Sequence, residues 1–391
     1  MAAIAAVSLQ TLPQRGGASV AAAFGIAGVV AVMVGVLSIG EGFRHAMTRS
    51  EHDDGVIVMR SGADGEMSSG MSLEETRVIA DAPAIAIVGG VKAVSAELFV
   101  IINLPMKATG TDANVPLRGI QPGGYAVRPE FRLLEGRLFE PGKNEMIVGS
   151  GAAREFAQLE VGDTTVVGQS EWKVVGVFSV GGGIAESEIW TDAANLQSAY
   201  RRGNAFNSVR LRLSRGDAES FMSFRDSMTS DPRVNAKVIR REEYYAEQSA
   251  QVSALINVLG GLIAFLMGLG AVFGALNTMY SSVSVRHQEI ATLRALGFGA
   301  VPIVVSVMIE SLALSLFGGL IGGSFAYLAF DGFQAATLNW QSFSQVTFAF
   351  DVTPSLLVKG VLYASLIGLV GGVFPAVRAA RLPISSALRA S

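Results

Sequence analysis

Four long apolar runs constrain this chain more than any other feature of its sequence. The first covers residues 18–39 and contains no charged side chain. As a helix rising 1.5 Å per residue, a run of roughly 22 residues spans ~33 Å, enough to cross a hydrocarbon core of ~30 Å. The second run covers residues 255–279, the third 301–330 and the fourth 356–374. The third carries one acid, Glu310, and Asp351, Pro354 and Lys359 lie around the start of the fourth. Half of all residues are hydrophobic, 16% are charged, and the mean hydropathy is +0.43. Soluble chains carry about 25% charged residues, so much of this surface faces something other than water. Many of the 45 glycines fall inside the apolar runs, where membrane helices tolerate them. A signal peptide would have a shorter apolar core and a small-residue cleavage site, so the first run is expected to stay as a helix. Ahead of it, residues 1–10 are weakly apolar through Ile4, Val7 and Leu9, which fits either a surface-lying stretch or a disordered one.

Charge in the short connections predicts orientation, because Lys and Arg accumulate on the cytoplasmic side. Arg15 precedes the first run, Arg286 and Arg294 lie between the second and third, and Arg378, Arg381 and Arg389 follow the fourth. The connection 331–353 has no Lys or Arg. The expected layout is a cytoplasmic segment 1–17, a first span 18–40 and an extracytoplasmic domain 41–249. A second span 250–279, a cytoplasmic segment 280–299 and a third span 300–330 follow. A short outer loop 331–353, a fourth span 354–375 and a cytoplasmic tail 376–391 complete it. The fold class is thus an α-helical membrane protein with four transmembrane helices and a large mixed α/β extracytoplasmic (periplasmic) domain between helices 1 and 2.

Within the outer domain, residues 55–60 read as a strand, and Ser72 with Glu75 forms a capping box that opens a helix to Ala80. Residues 88–94 read as a returning strand. Near the second span, 208–213 alternates as a strand, 217–229 reads as a helix and 236–240 as another strand. These two strand–helix–strand units, about 44–95 and 206–245, are expected to pair as a membrane-proximal layer. Between them, about 97–205, lies a strand-rich insertion with strands at 97–104 and 115–120. A hairpin of 164–167 and 172–178 turns at 168–171, and a short helix occupies 192–200. Residues 242–251 lack Gly and Pro and are expected to continue into the second span as one long helix.

Several functions are disfavoured. A net charge of −3 and a pI of about 5.8 provide no basic field for nucleic acid. The absence of cysteine excludes disulfides, thiolate metal sites and cysteine nucleophiles. The histidines, His45, His52 and His287, form no i,i+4 pair, so no metal is expected. Ser150 lacks the G-x-S-x-G frame of a nucleophile elbow, and the carboxylate pairs Glu74/Glu75 and Glu242/Glu243 read as solvated helix faces. The only Gly-Lys pair, Gly142-Lys143, is followed by Asn144 and has no glycine five residues before it. It is therefore no phosphate-binding loop. The chain is expected to be non-enzymatic, with no cofactor of its own.

Three groups of residues stand out instead. In 280–299, Val283, Ile290, Leu293 and Leu296 recur at helical spacing, with Arg286, Glu289 and Arg294 off that stripe and Gly297 and Gly299 as stop and bend. Spacing alone fits an interfacial anchor whose arginines obey the charge rule, or a lever that takes a push from a cytosolic partner. Glu310 within the third span fits a polar helix–helix contact, with Ser311 or Arg294 as partner, more readily than a proton relay. Glycines four apart, Gly270/Gly274, Gly318/Gly322, Gly319/Gly323 and Gly368/Gly372 (with Gly360 and Ala364), fit close helix packing within the chain or against a second copy.

The stretch VRHQEIATLRALGFGAVPIVVSVMIESLALSLFGGLIG, residues 285–322, resembles the signature of FtsX-like permeases, whose members include MacB-type transporters. The matching residues are Arg286, Glu289, Ile290, Leu293, Arg294, Ala295, Leu296 and Gly297, then Glu310 and Ser311. The tail PAVRAARLPISSAL, residues 375–388, resembles that family's C-terminus, and EGRLF (135–139), LEVGD (159–163) and WKVVGVF (172–178) look like its periplasmic domain. The resemblance implies a permease of the bacterial inner membrane, dimeric, with both termini cytoplasmic. It also implies ATP and Mg bound by a separate ABC ATPase subunit that pushes on Arg286, Glu289, Ile290, Leu293, Arg294, Leu296 and Gly297. Export or extraction of a substrate, with a periplasmic adaptor or acceptor protein and membrane lipids as further partners, follows from it. Control of an outer enzyme such as a cell-wall hydrolase is the alternative. MacB itself carries its ATPase on the same chain, and no phosphate-binding loop occurs in this one.

Overall fold

The computed structural model describes residues 16–48, 54–339 and 344–381 of the 391. The stretch 1–10, Arg15, His52, Arg389 and the tail pattern beyond Arg381 lie outside the described residues. The chain divides into two compact units. A helical unit is formed by the described parts of Met1–Gly42, Val252–Phe333 and Phe350–Ser391. A mixed α/β unit is formed by those of Phe43–Gln251 and Gln334–Ala349.

In chain order, helix α1 (Gly16–Thr48) leads to β1 (Gly55–Arg60), α2 (Leu73–Ala80), β2 (Ile87–Val88), β3 (Val91–Lys92), β4 (Val94–Pro105) and β5 (Asp112–Ile120). Next come β6 (Phe131–Gly136), β7 (Glu145–Gly149), α3 (Ser150–Glu155), β8 (Thr164–Val167), β9 (Ser170–Val180), β10 (Ile189–Asp192) and α4 (Ala193–Ala199). Then follow β11 (Ser208–Arg212), α5 (Ala218–Ser230), β12 (Ala236–Arg240), α6 (Arg241–Val285), α7 (His287–Ala295) and α8 (Ala300–Phe330). The last elements among the described residues are β13 (Gln334–Asn339), β14 (Ser344–Ala349) and α9 (Pro354–Ala380). Among the described residues, four helices, α1, α6, α8 and α9, are long and apolar enough to cross a membrane.

Local chemistry explains many of these boundaries. The Ser72 hydroxyl accepts the Glu75 N–H at 3.2 Å while the Glu75 carboxylate accepts the Ser72 N–H at 2.8 Å, so both orphan donors at the start of α2 are satisfied. Asp217 caps α5 by accepting the Ser220 N–H at 2.8 Å. Thr353 caps α9, whose first residue, Pro354, has the φ a helix start requires. The strand expected over 88–94 is instead a tight hairpin followed by β4. Gly89 and Gly90 both have positive φ, the requirement of a two-residue turn that matches strand twist. The β8–β9 turn is also tighter than 168–171, because Val167 already pairs with Ser170.

Ten strands form one sheet in the order β12-β1-β11-β4-β5-β10-β7-β9-β6, with β8 added on β9. Only β5–β10 and β7–β9 are parallel. The expected boundary at 97 falls inside β4. That strand pairs with β11 through Val94–Glu97 and with β5 from Leu98 onward, so one strand serves both halves of the sheet. One core lies beneath β1, β11 and β12, with Ile79, Phe221 and Phe224 from α2 and α5. A second lies around Leu117, Val148, Trp172 and Leu196. The loop expected at 331–353 contains the β13–β14 hairpin, which groups with the α/β unit. Thr347 of that hairpin bonds Ser187 twice, through its hydroxyl at 2.9 Å and its N–H at 2.9 Å, and Phe348 meets Phe43 edge-on with centroids 5.6 Å apart. Helix α6 runs unbroken over 45 residues, or ~67 Å of helix, and joins the start of the second span to the last strand of the sheet.

Candidate functional site

The connection between α6 and α8 is built around a break at one residue. Helix α6 ends at Val285, Arg286 adopts φ −95°, ψ 13°, and α7 begins at His287. Helix α7 closes with a paired bond pattern: the Gly297 N–H donates to the Arg294 carbonyl (3.1 Å) and the Phe298 N–H to the Leu293 carbonyl (3.1 Å). Gly297 takes φ +94°, the left-handed position this closure requires. Met279, Val283 and Ile290 pack with Ile303, Val307, Ala376 and Ala379, so the elbow is held against α8 and α9 by an apolar cluster.

The expected stripe is only partly buried. Val283 and Ile290 lie inside and Leu293 is half-buried, but Leu296 is 72% exposed because α7 has already closed there. Arg286, expected off the stripe, is buried, since it stands at the break between two helices rather than on the face of either. Its guanidinium meets Glu289 through Nε at 2.9 Å and Glu310 through Nη1 at 3.2 Å. The other Glu310 oxygen accepts the Ser282 hydroxyl at 3.0 Å. Arg286 at the break and Ser282 on α6 thus both contact Glu310. Ser311, one residue on, projects to α9 and donates to the Gly368 carbonyl at 2.7 Å. Burial of Glu310 within an apolar helix is offset by a cation and a hydroxyl donor. Glu289 is exposed, as are His287, Gln288 and Thr292, so α7 presents a polar outer face.

The glycines divide into two groups. A side chain at Gly318 or Gly322 would run into the α1 backbone at Ala23 or Ala27, and one at Gly319 would meet Ala364. Gly368 and Gly372 lie against Ser315 and Ser311, so these four-residue pairs allow close helix packing within the chain. Nothing lies within 4 Å of a side chain built at Gly270 or Gly274. These two line an open groove of about 430 Å³ with Ala21, Gly25 and Val29.

The α/β unit contains a second cluster that sequence reading missed. Where β4 changes partners, Arg118 bonds Glu66 (2.8 Å), Glu97 (3.0 Å) and Glu188 (2.8 Å), all buried. Arg128 adds two bonds to Glu97 (2.8 and 2.9 Å), and Arg210 reaches Glu66 (2.9 Å) and Glu97 (3.3 Å). Burial pushes the Glu66 carboxyl up, but Arg118 and Arg210 outweigh it and hold it well below the usual carboxylate range. Glu97 is lowered against its burial by Arg128 and Arg118 in the same way. The Glu66 N–H donates to the Tyr244 hydroxyl at 3.2 Å, and Arg210 lies 5.6 Å from the Tyr245 ring, so the first turns of α6 rest on this cluster. Ser150 donates to Glu186 at 2.7 Å, and this carboxylate also accepts from Ser179 and from the N–H groups of Val180 and Gly182. Among the described residues, no group of three or more metal-ligating side chains gathers.

Residues 19–223 match the model of the MacB-like periplasmic core domain, and residues 261–384 match the FtsX-like permease C-terminal model. Over 384 residues the chain is 26% identical to the ABC transporter permease YknZ of Bacillus subtilis, covering 93% of this chain and 92% of that one. It is 25% identical over 390 residues to the macrolide export ATP-binding/permease protein MacB of Escherichia coli, covering 92% of this chain but 55% of that one. The crystal structure of the extracellular domain of YknZ from Gram-positive bacteria aligns with 48% of this chain and 100% of its own length, at 15% identity and a TM-score of 0.34. With the first of these models covering over half its length, the chain belongs to the FtsX-like, MacB-type family of ABC transporter permeases.

Proposed function

We propose that this chain is a permease subunit that couples ATP hydrolysis by a separate cytosolic ATPase to movement of its outer domain, for export or extraction of a substrate. In this reading two copies act together in a bacterial inner membrane, with both termini and the α7 elbow in the cytosol. One observation carries the reading: α7 is anchored to α8 and α9 by Val283, Ile290, Ile303 and Ala379 on its inner side and presents Glu289 on its outer side. A short helix so anchored moves as one body with the spans it joins, and its polar face is available to a soluble partner. The MacB relatives are named as export ATP-binding/permease proteins, which favours export over control of an outer enzyme. The ATP and Mg would be held by the partner.

The test is reconstitution of the full chain in vesicles with the ATP-binding subunit that co-purifies from its own membranes. Glu289→Arg and Arg294→Glu should each lower permease-dependent ATP turnover by at least about tenfold, as expected where a charge meets a like charge across an interface. Membrane insertion should not change. Turnover equal to wild type in both variants would remove the elbow from the coupling path.

A further inference from the structure

We infer that Arg286 is the positioning residue of the elbow: one guanidinium joins Glu289, on the exposed face of α7, to Glu310, inside α8, and so passes a displacement of α7 to the third span. The inference rests on the coupling role proposed above and adds the route.

Three observations point to it. The side chain starts at the break itself, where φ −95° and ψ 13° end one helix before the next begins. Any change in the angle between α6 and α7 therefore moves the Arg286 Cα relative to both carboxylates. The two ion pairs also use different parts of the fork, Nε for Glu289 and Nη1 for Glu310. A planar guanidinium holds both in a fixed relation, whereas a lysine ammonium on a flexible stem is a single point charge. Finally, the carboxylates differ in surroundings, with Glu310 2% exposed and Glu289 59% exposed. Glu310 has both oxygens engaged, by Arg286 and Ser282, so it is fixed to the end of α6. Glu289 can exchange Arg286 for a cation on a partner without leaving a buried charge behind. That asymmetry allows a contact outside to be felt inside.

The experiment uses the full chain in lipid vesicles, with and without the co-purified ATP-binding subunit. The chain has no cysteine, so spin labels at Gln288→Cys and Leu320→Cys report the α7–α8 distance without background. Expected is one narrow distribution in wild type, broadened by Glu310→Gln and by Arg286→Lys. With the ATP-binding subunit, Glu289→Gln and Glu310→Gln should each lower maximal turnover by about tenfold, leave the KM for ATP unchanged, and lower it no further when combined. In an Arg286→Met background neither should have further effect. Arg286→Met with Glu310→Met removes both buried charges and should insert and dimerise as wild type does while remaining uncoupled. Wild-type turnover in that double variant, or additive losses from Glu289 and Glu310, would reduce the pair to a packing contact and overturn the inference. If wild type itself fails to change ATP turnover, the coupling role falls. A distance distribution unmoved by Glu310→Gln and by Arg286→Lys would overturn the positioning role on its own.

Discussion

Removing the Arg118 guanidinium would take from buried Glu188 its cation and leave buried Glu66 and Glu97 to Arg210 and Arg128. Breaking a buried ion pair from one side costs about 3–5 kcal/mol, so Arg118→Met should destabilise the outer domain by that much in denaturant unfolding of the full chain. Acid acts on the same cluster. Glu66 and Glu97 titrate below an unfolded glutamate, so their contribution is full above the unfolded value near 4.5 and is lost as pH falls below it. Glu145 behaves alike, because Arg137 and the Glu140 N–H hold it down to about 2, against partial burial. The thermal midpoint should therefore be level from pH 7 to 5 and fall steeply below about 4, more shallowly in Glu145→Gln. These buried charges were not legible in the sequence, for a physical reason. Arg118 stands between Leu117 and Gly119, and Glu97 between Ala96 and Leu98, an alternation that in a one-sided sheet marks a wet face. Here the second face is covered too. Glu310 was legible as an oddity because any carboxylate in an apolar run is conspicuous, but its pairing with Arg286 was not. Arg286 reaches it from 24 residues away, across a turn whose geometry no local spacing encodes.

At the scale of elements, the long apolar runs and the capped helices were readable because their signals are local: hydropathy over a window, a hydroxyl three residues before an acid. The closure of α7 is of the same kind. Gly297→Ala places a Cβ at φ +94° and should destabilise the elbow by about 1 kcal/mol, seen as faster amide exchange over residues 287–296. The pairs Gly318/Gly322 and Gly368/Gly372 were legible as close-packing devices, but not which helices they serve. Gly322→Leu drives a side chain into the Ala27 backbone and should separate α8 from α1, with loss of folded yield. Gly270→Leu meets nothing in its own chain and should leave monomer stability unchanged by thermal unfolding. The β13–β14 hairpin was overlooked as a loop, although Gln334–Asn339 and Ser344–Ala349 carry the Thr, Val and Phe that favour strands.

For the whole molecule, the charge asymmetry of the short connections predicts an orientation that labelling can check. A cysteine placed at Gln288 should resist an impermeant reagent in intact cells, while one at Ser170, in the β8–β9 hairpin, should react once the outer membrane is permeabilised. Labelling of residue 288 from outside would reverse the assignment. The position of the β13–β14 hairpin also bears on how the molecule is made. A ribosome delivers residues 43–251 first, and that stretch can begin to fold as soon as it has crossed the membrane. The piece that bonds Ser187 through Thr347 and faces Phe43 with Phe348 arrives only after the helices at 241–285 and 300–330 have been threaded. The α/β unit thus remains unfinished until the third span is in place, and a nascent chain arrested near residue 333 should be cut by added protease more readily than one released after residue 349.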